Sequence, residues 1–382
     1  MLPRTLLVIF GLASAVLRAD VVSVAASDPR IRCEGRVDFS DPSAPVLAWS
    51  GTRLRCDFDG PTVTLLFASA SGQNFFDAMI DGASQLIAVP AAAARQRIDL
   101  AVPAGNARHQ LVLFKRSEAA AGEVRFAGVE LAANARAWEP ADPHYQCRME
   151  FFGDSITAGA CDEDGATDQW DDRRTHNNAK SYAALTARAF EADYRCIAVS
   201  GMGIVTGWTD VKAGQIWDRL QPRADAARAD ISTWQPDIAF VNLGENDASF
   251  PAAHGEPFPA ADFTRGYVAL VTALRSAYPR AHLVLLRGGI FNGAQNPELR
   301  RAWDAAVGQL EARDAMIHHF EFSHWSRLHP RVADHRAMAD ELIAWLRAQP
   351  SGTGVSPVEQ PEHGRDAHAT QAGRVRSAED LK

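Results

Sequence analysis

Cysteine is scarce in this chain. There are five in 382 residues, Cys33, Cys56, Cys147, Cys161 and Cys196, too few and too scattered for a disulfide framework, and none forms a C-x-x-C pair with metal spacing. At most two bridges could form. Positive charge is also in short supply: Lys plus Arg total 39 against Asp plus Glu 47, a net of -8. A protein that neutralises phosphates shows the opposite balance, so nucleic acid is not an expected partner. Beyond the N-terminus no stretch approaches 18 uninterrupted apolar residues, so no membrane insertion is expected once the leader is cleaved. Hydrophobic residues at 47% and charged residues at 23% exclude a wholly disordered, collagen-like or coiled-coil chain. At roughly 150 residues per domain the length allows two domains with some chain left over.

What is left over lies at the two ends. Residues 1–19 carry one basic side chain before the apolar run, Arg4, then the run over 5–12 and the small-x-small site Ala13-Ser14-Ala15, with a second possible cut after Ala19. This is the pattern of a secretory signal peptide, and the run is too short to span a bilayer. The mature chain is expected to be exported, either secreted or periplasmic. Residues 349–382 are rich in Pro, Gly, Ser and charge and nearly empty of apolar residues, so they cannot offset their ordering entropy and read as a disordered tail.

Between them the hydrophobic period changes. Over 28–138 it is two: Leu54, Cys56 and Phe58 alternate with Arg53, Arg55 and Asp57, and Ile98, Leu100 and Val102 repeat the pattern. Turn signals such as Asp59-Gly60-Pro61, Ser71-Gly72 and Asp81-Gly82 separate the runs. About eight short strands in about a hundred residues imply a β-sandwich domain, most plausibly a jelly roll. A Pro-bearing linker near Pro140 and Pro143 follows. Over 146–348 apolar strands at 149–152, 196–199, 238–241, 283–286 and 318–322 alternate with amphipathic helices at 182–190, 263–277, 299–312 and 332–347. Repeated units of this kind build an α/β domain on a parallel sheet, whose ligands sit beyond the carboxyl ends of the strands.

Those strand ends carry small residues and reactive ones. They read Gly153-Asp154-Ser155, then Ser200-Gly201-Met202-Gly203, then Gly244-Glu245-Asn246-Asp247, and last His324-Trp325-Ser326-Arg327-Leu328-His329-Pro330. A serine hydroxyl needs an adjacent base to become a nucleophile. Ser155 could instead be a helix N-cap, a role serine favours, but the other blocks point to the nucleophile. His329 is the expected general base, with His324 its rival; His318, His319 and His335 fall on a strand or helix and read as packing or surface residues. The acidic run Asp162-Glu163-Asp164 lacks the ligand spacing of a calcium loop, so no metal and no cofactor is expected. Trp170, Trp208 and Trp325 lie near these loops, and Trp208 and Trp325, each within a few residues of one of the four blocks, are the better candidates for stacking on a substrate.

Four blocks in this order resemble the SGNH (GDSL-type) hydrolases. The N-terminal half, with Trp49-Ser50-Gly51, Asn74-Phe75-Phe76 and Leu113-Phe114-Lys115-Arg116-Ser117-Glu118, resembles more narrowly carbohydrate esterase family 2. The resemblance implies a three-layer, flavodoxin-like α/β domain preceded by a jelly roll, and a serine esterase that deacetylates polysaccharides or their oligomers, such as xylan or glucomannan. It implies Ser155 and His329 as catalytic residues, with an oxyanion hole of the Ser155 and Gly203 amides and the Asn246 side chain. The broader SGNH pattern places an aspartate three positions before the histidine, where this chain has Ser326. The expectation is therefore a Ser-His dyad, with a backbone carbonyl, a hydroxyl or a remote acid orienting His329. The other readings are an esterase or acyltransferase for other acyl groups, and a degenerate site that only binds carbohydrate.

Overall fold

The computed structural model describes residues 21–290 and 296–349. The leader expected at 1–19 and, save for Gln349, the tail expected at 349–382 lie outside the described residues. The N-terminal part is antiparallel throughout. Its strands are β1 (Val22–Ala25), β2 (Arg32–Glu34), β3 (Val46–Leu47), β4 (Arg53–Phe58), β5 (Thr62–Ile80), β6 (Ala83–Ala92), β7 (Gln96–Ala101), β8 (His109–Lys115), β9 (Val124–Leu131) and β10 (Ala137–Trp138). They join in one curled sheet whose main path runs β1-β9-β5-β8-β4-β10.

The curl comes from β5, which changes partners along its length. Its first part pairs with β7 and β9, its last part with β6 and β8, and the register slips between Ala70 and Gln73. Gly72 sits at that break with φ +64, and a Cβ there would fall 2.0 Å from the Ala121 carbonyl oxygen. Only glycine allows both the conformation and the approach. Inside the curl, Phe67 meets Phe76 and Phe126 with ring centroids 5.8 Å apart in both pairs. Each fully buried ring contributes on the order of 2 kcal/mol from its area alone.

The second part is a parallel sheet of β11 (Cys147–Gly153), β12 (Ala192–Ala198), β13 (Ile238–Asn242), β14 (His282–Arg287) and β15 (Ile317–Glu321), in the order β12-β11-β13-β14-β15. Relabelled within the domain this is 2-1-3-4-5, a doubly wound order with its switch point at the end of the first strand. The helices are α1 (Ser155–Ala158), α2 (Tyr182–Ala189), α3 (Ala213–Ile216), α4 (Glu245–Ala253), α5 (Ala260–Ala277), α6 (Pro297–Glu311) and α7 (Val332–Ala348). Phe263 and Leu270 of α5 and Trp303 of α6 cover one face of the sheet. Leu185 of α2 and Met338 and Leu342 of α7 cover the other. Covered on both sides, β13 is buried at every residue, which is why it reads as a continuous apolar run rather than an alternation. The helix at 245–253 was not expected: Gly244, at φ +127, turns the chain directly from β13 into α4.

The two parts share buried surface. Trp49 and Ala119 belong to the same apolar cluster as Val241 and Leu285, and Trp49 Nε1 donates to the Leu220 carbonyl at 2.9 Å. Glu150 is fully buried on β11, and Arg36 of the N-terminal part donates to it at 2.8 Å while the Tyr278 hydroxyl donates at 2.7 Å. A carboxylate removed from water requires partners of this kind. The five thiols are all free. Among the described residues no helix is long and apolar enough to cross a membrane.

Candidate active site

β11 ends in a sharp turn into the single-turn helix α1. Asp154 caps it, accepting from the Ile156 amide at 3.0 Å, and Gly159, at φ +73, closes it. A Cβ on Gly153 would fall 2.1 Å from Thr157 Oγ1, so glycine is required for the turn to fold this tightly. Burial pushes the Asp154 carboxyl up to about 7, against hydrogen bonds that include Asn246. The turn projects Ser155, whose Oγ lies 2.9 Å from His329 Nε2.

The other face of the ring is occupied. His329 Nδ1 lies 2.7 Å from Asp168 Oδ2, and Arg331 Nη1 donates to the second Asp168 oxygen at 2.8 Å. Burial alone would raise the Asp168 carboxyl, but the bonds from His329 and Arg331 outweigh it and hold it at about 2. Of the three groups allowed for orienting His329 in the expected dyad, the structure places a remote acid: Ser155, His329 and Asp168 form a continuous row, and Asp168 comes from the loop after α1. Ser326 has another use. Its amide donates to the Gly289 carbonyl at 2.9 Å and its side chain is buried, so the position that holds the acid in the broader pattern here serves packing of the loop. His324 turns away and pairs with Asp334 at 2.8 Å, and His335 accepts from the Tyr182 amide at 3.2 Å. Neither competes for Ser155.

A cavity of about 510 Å³ opens over Ser155 and His329, with Trp170, Arg173, Gly201, Trp208, Asn246 and Leu328 among its walls and Ala120 contributed by the N-terminal part. Gly203, the expected oxyanion donor, is not part of the wall. A Cβ there would fall 1.8 Å from the Thr206 carbonyl oxygen and 2.6 Å from Asp247 Oδ2, so close packing requires a glycine at 203. Gly201 takes the wall position, at φ +81. Asn246 reaches the cavity too, and its Nδ2 donates to Asp154 Oδ2 and to the Met202 carbonyl, both at 3.0 Å. Asp247 holds the loop as expected, accepting from the amides of Ile204 and Val205 at 2.8 Å and Thr206 at 3.1 Å.

The tryptophans are also redistributed. Trp208 is 56% exposed at the cavity rim, with its Nε1 on Ser249 Oγ at 3.2 Å. Trp325 instead packs under the Arg287 guanidinium, 5.2 Å from ring centroid to carbon, and lines a separate small pocket with Trp303. Its expected place is taken by Trp170, which meets the His329 ring edge-on at 4.9 Å. The acidic run is not merely solvated: Asp162 is buried on the Asn177 amide, and Glu163 pairs with Arg116 and Lys180.

Cys161, Asp168 and His329 place one ligand atom each within 4.8 Å of one another. Asp168 and His329 belong to the hydrogen-bonded row with Ser155, while Cys161 Sγ faces the Gln169 carbonyl and His176 Nε2. Burial pushes the Cys161 thiol well above its usual range, aided by Asp168 and Asp164, and a ligating sulfur has to be deprotonated. Both nitrogens of His329 are already engaged.

A parallel-sheet domain carrying this site is a carboxylic ester hydrolase: residues 151–374 match the GDSL-like lipase/acylhydrolase family. Residues 33–140 match the carbohydrate esterase 2 N-terminal family, and the chain belongs to carbohydrate esterase family 2. It is 31% identical over 330 residues to cellulase/esterase CelE of Acetivibrio thermocellus, covering 84% of this chain and 39% of that protein. It is 27% identical to an acetylxylan esterase/glucomannan deacetylase of Cellvibrio japonicus, over 87% of this chain and 92% of that one. The fold superposes on a family two carbohydrate esterase from Clostridium thermocellum in complex with cellohexaose, with TM-score 0.73, 30% identity and coverage of 83% and 98%.

Proposed function

We propose that the chain removes O-acetyl groups from plant-type polysaccharides or their oligosaccharides, such as xylan and glucomannan, through an acyl-enzyme on Ser155. The observation that carries this reading is the unbroken row from Ser155 through His329 to Asp168, opening into a cavity with two indole rings at its walls. His329 takes the Ser155 proton as the hydroxyl attacks the acetyl carbonyl, and returns it to the departing sugar hydroxyl. Water, activated by the same ring, then releases acetate. Asp168 keeps Nδ1 protonated, so that Nε2 faces the serine as an acceptor, and it stabilises the imidazolium that forms.

The oxyanion sits where the Ser155 and Gly201 amides and the Asn246 side chain meet, each donor worth roughly 3 kcal/mol. Gly201 replaces Gly203 in this assignment because it stands at the cavity wall. Asn246 serves by exchanging one of its two present partners for the developing charge. Trp208 and Trp170 present the surfaces for sugar rings. The curled antiparallel sheet is read as a jelly roll, and the leader at 1–19 as the export signal. The names of the Cellvibrio enzyme and of CelE, together with the cellohexaose complex, support the substrate class. The degenerate-site reading rested on the missing acid at 326 and on the sandwich domain; Asp168 at His329 Nδ1 speaks against the first of these.

The test is acetate release from acetylated xylan and glucomannan by the parent and by Ser155→Ala. Release by the parent and loss of at least a thousandfold in the variant is expected; an inactive parent, or an active variant, overturns the reading.

A further inference from the structure

The N-terminal part places a fully buried carboxylate against the loop that carries Gly201. Glu118 follows β8, is 0% exposed, and spends both oxygens across the junction. Its Oε2 accepts from the Ser200 amide at 3.1 Å, and its Oε1 accepts from Arg173 Nη1 at 2.6 Å and stands 3.3 Å from His176 Nδ1. Behind it lies a second buried ionisable group, Lys115, which burial pushes down to about 7 and whose Nζ donates to the carbonyls of Ser117 at 3.2 Å and Glu118 at 3.4 Å. Burial opposes the Glu118 charge, yet His176, Arg173 and Ser200 hold its carboxyl below the usual range. Packing alone does not call for an ionised group here, since an apolar side chain of the same volume would fill the space without a desolvation cost.

What the carboxylate touches leads to the chemistry by two routes. The Ser200 amide immediately precedes Gly201, a residue of the cavity wall, so its hydrogen bond fixes the backbone next to the amide assigned above to the oxyanion hole. Arg173 lines the same cavity, its guanidinium 5.2 Å over the Trp170 ring, and Trp170 in turn braces the edge of His329. One guanidinium nitrogen of Arg173 is thus tied to Glu118 while the side chain stands in the wall of the cavity over Ser155.

We propose that Glu118 is a positioning residue of the esterase site, fixing the Gly201 amide through Ser200 and the sugar-facing wall through Arg173, so that the N-terminal domain completes the active site. This rests on the serine esterase reading above. Glu118 touches neither the acyl group nor the sugar, and acts by setting where other groups stand. The first route makes contact only as negative charge develops and acts on kcat; the second meets bound sugar and acts on KM.

The test uses the full chain and two substrates: 4-nitrophenyl acetate, which carries no sugar, and an acetylated xylo-oligosaccharide. Glu118→Gln keeps the shape but offers one acceptor where the carboxylate offers two. It is expected to lower kcat on nitrophenyl acetate by about 10- to 100-fold, the loss associated with a small misplacement of a catalytic donor. On the oligosaccharide KM should rise as well. Stoichiometric labelling of Ser155 by a fluorophosphonate, at the parent's level, shows that the variant is folded with nucleophile and base in place. If Glu118→Gln does not fold, Glu118→Leu with Arg173→Gln removes the buried charge together with its cation and should show the same kcat loss. A kcat on nitrophenyl acetate within threefold of the parent in the labelled protein overturns the proposal, as does a loss that merely tracks the unlabelled fraction. A parent that neither labels nor releases nitrophenol sinks the esterase reading instead.

Discussion

Asp168→Asn isolates the acid of the row with little change in shape. The Asp168 carboxyl is held at about 2 against an ordinary 3.8 and its side chain is 15% exposed. A difference of just under two units corresponds to about 2 kcal/mol in favour of the charged form, after burial has taken its share. His329 and Arg331 divide that figure. Losing the part owed to His329 weakens the imidazolium by about 1 kcal/mol, roughly a fivefold rate loss. The larger effect is tautomeric. An asparagine that turns its amide nitrogen toward Nδ1 makes that nitrogen an acceptor, moves the ring proton to Nε2, and leaves Ser155 with no base. Together these predict a fall in kcat of about 10²- to 10⁴-fold with KM little altered. Initial rates on 4-nitrophenyl acetate from pH 5 to 9 read the fall. A variant within threefold of the parent at every pH would refute the triad and restore the dyad.

Three further outcomes follow from the same geometry. Arg331 donates to Asp168 and to the carbonyls of Cys161, Gly165 and His329; Arg331→Gln should lower kcat by about 3- to 30-fold, less than Asp168→Asn, and an equal or larger loss would mean that Arg331 acts other than through the acid. Gly201→Ala forces a side chain onto φ +81 with its Cβ 2.9 Å from that of Trp208, and should lower kcat by about 10²-fold or more, whereas unchanged kcat would remove the Gly201 amide from the oxyanion hole. His335 is fully buried and burial pushes it down to about 3, well below its value in the unfolded chain. Stability from its neutral form is therefore complete above about pH 6.5 and is lost as pH falls toward 3, by about 1.4 kcal/mol per unit, or about 4 to 5 kcal/mol in all. Urea unfolding of His335→Gln should show a shallower acid loss than the parent; parallel curves would exclude His335 as the source.

Much of the architecture could be read from local pattern, because a half-buried strand and a doubly covered strand leave different periods in the text. The alternation about Leu54 and Phe58 and the unbroken run at 238–241 are two such signatures. Ser155 and His329 were legible for a related reason: each sits on a short loop at a strand end, where small residues flank one reactive group. Asp168 was not. It is 161 positions from His329 and stands among Asp162, Glu163, Asp164, Asp171 and Asp172, where charge is ordinary, and only the fold brings it to Nδ1. The two glycines of Ser200-Gly201-Met202-Gly203 lie one residue apart, and which amide faces the cavity depends on a loop conformation set by Asp247. Trp325 lay closer in sequence to the base than Trp170 did, but Arg287 claims its ring. The one signal that could have favoured Trp170 was its place two residues after Asp168, which gained meaning only once the acid was known.

Trp49 and Ala119, buried in the same cluster as Val241, also bear on how such a chain can evolve. A module that can be moved by gene fusion carries a polar skin of its own, yet here each part uses the other as its skin. Cutting near Pro140 would leave Glu150 without Arg36 and an apolar face open to water, so the two parts are expected to melt together, and a recombination that moves one without the other should cost stability.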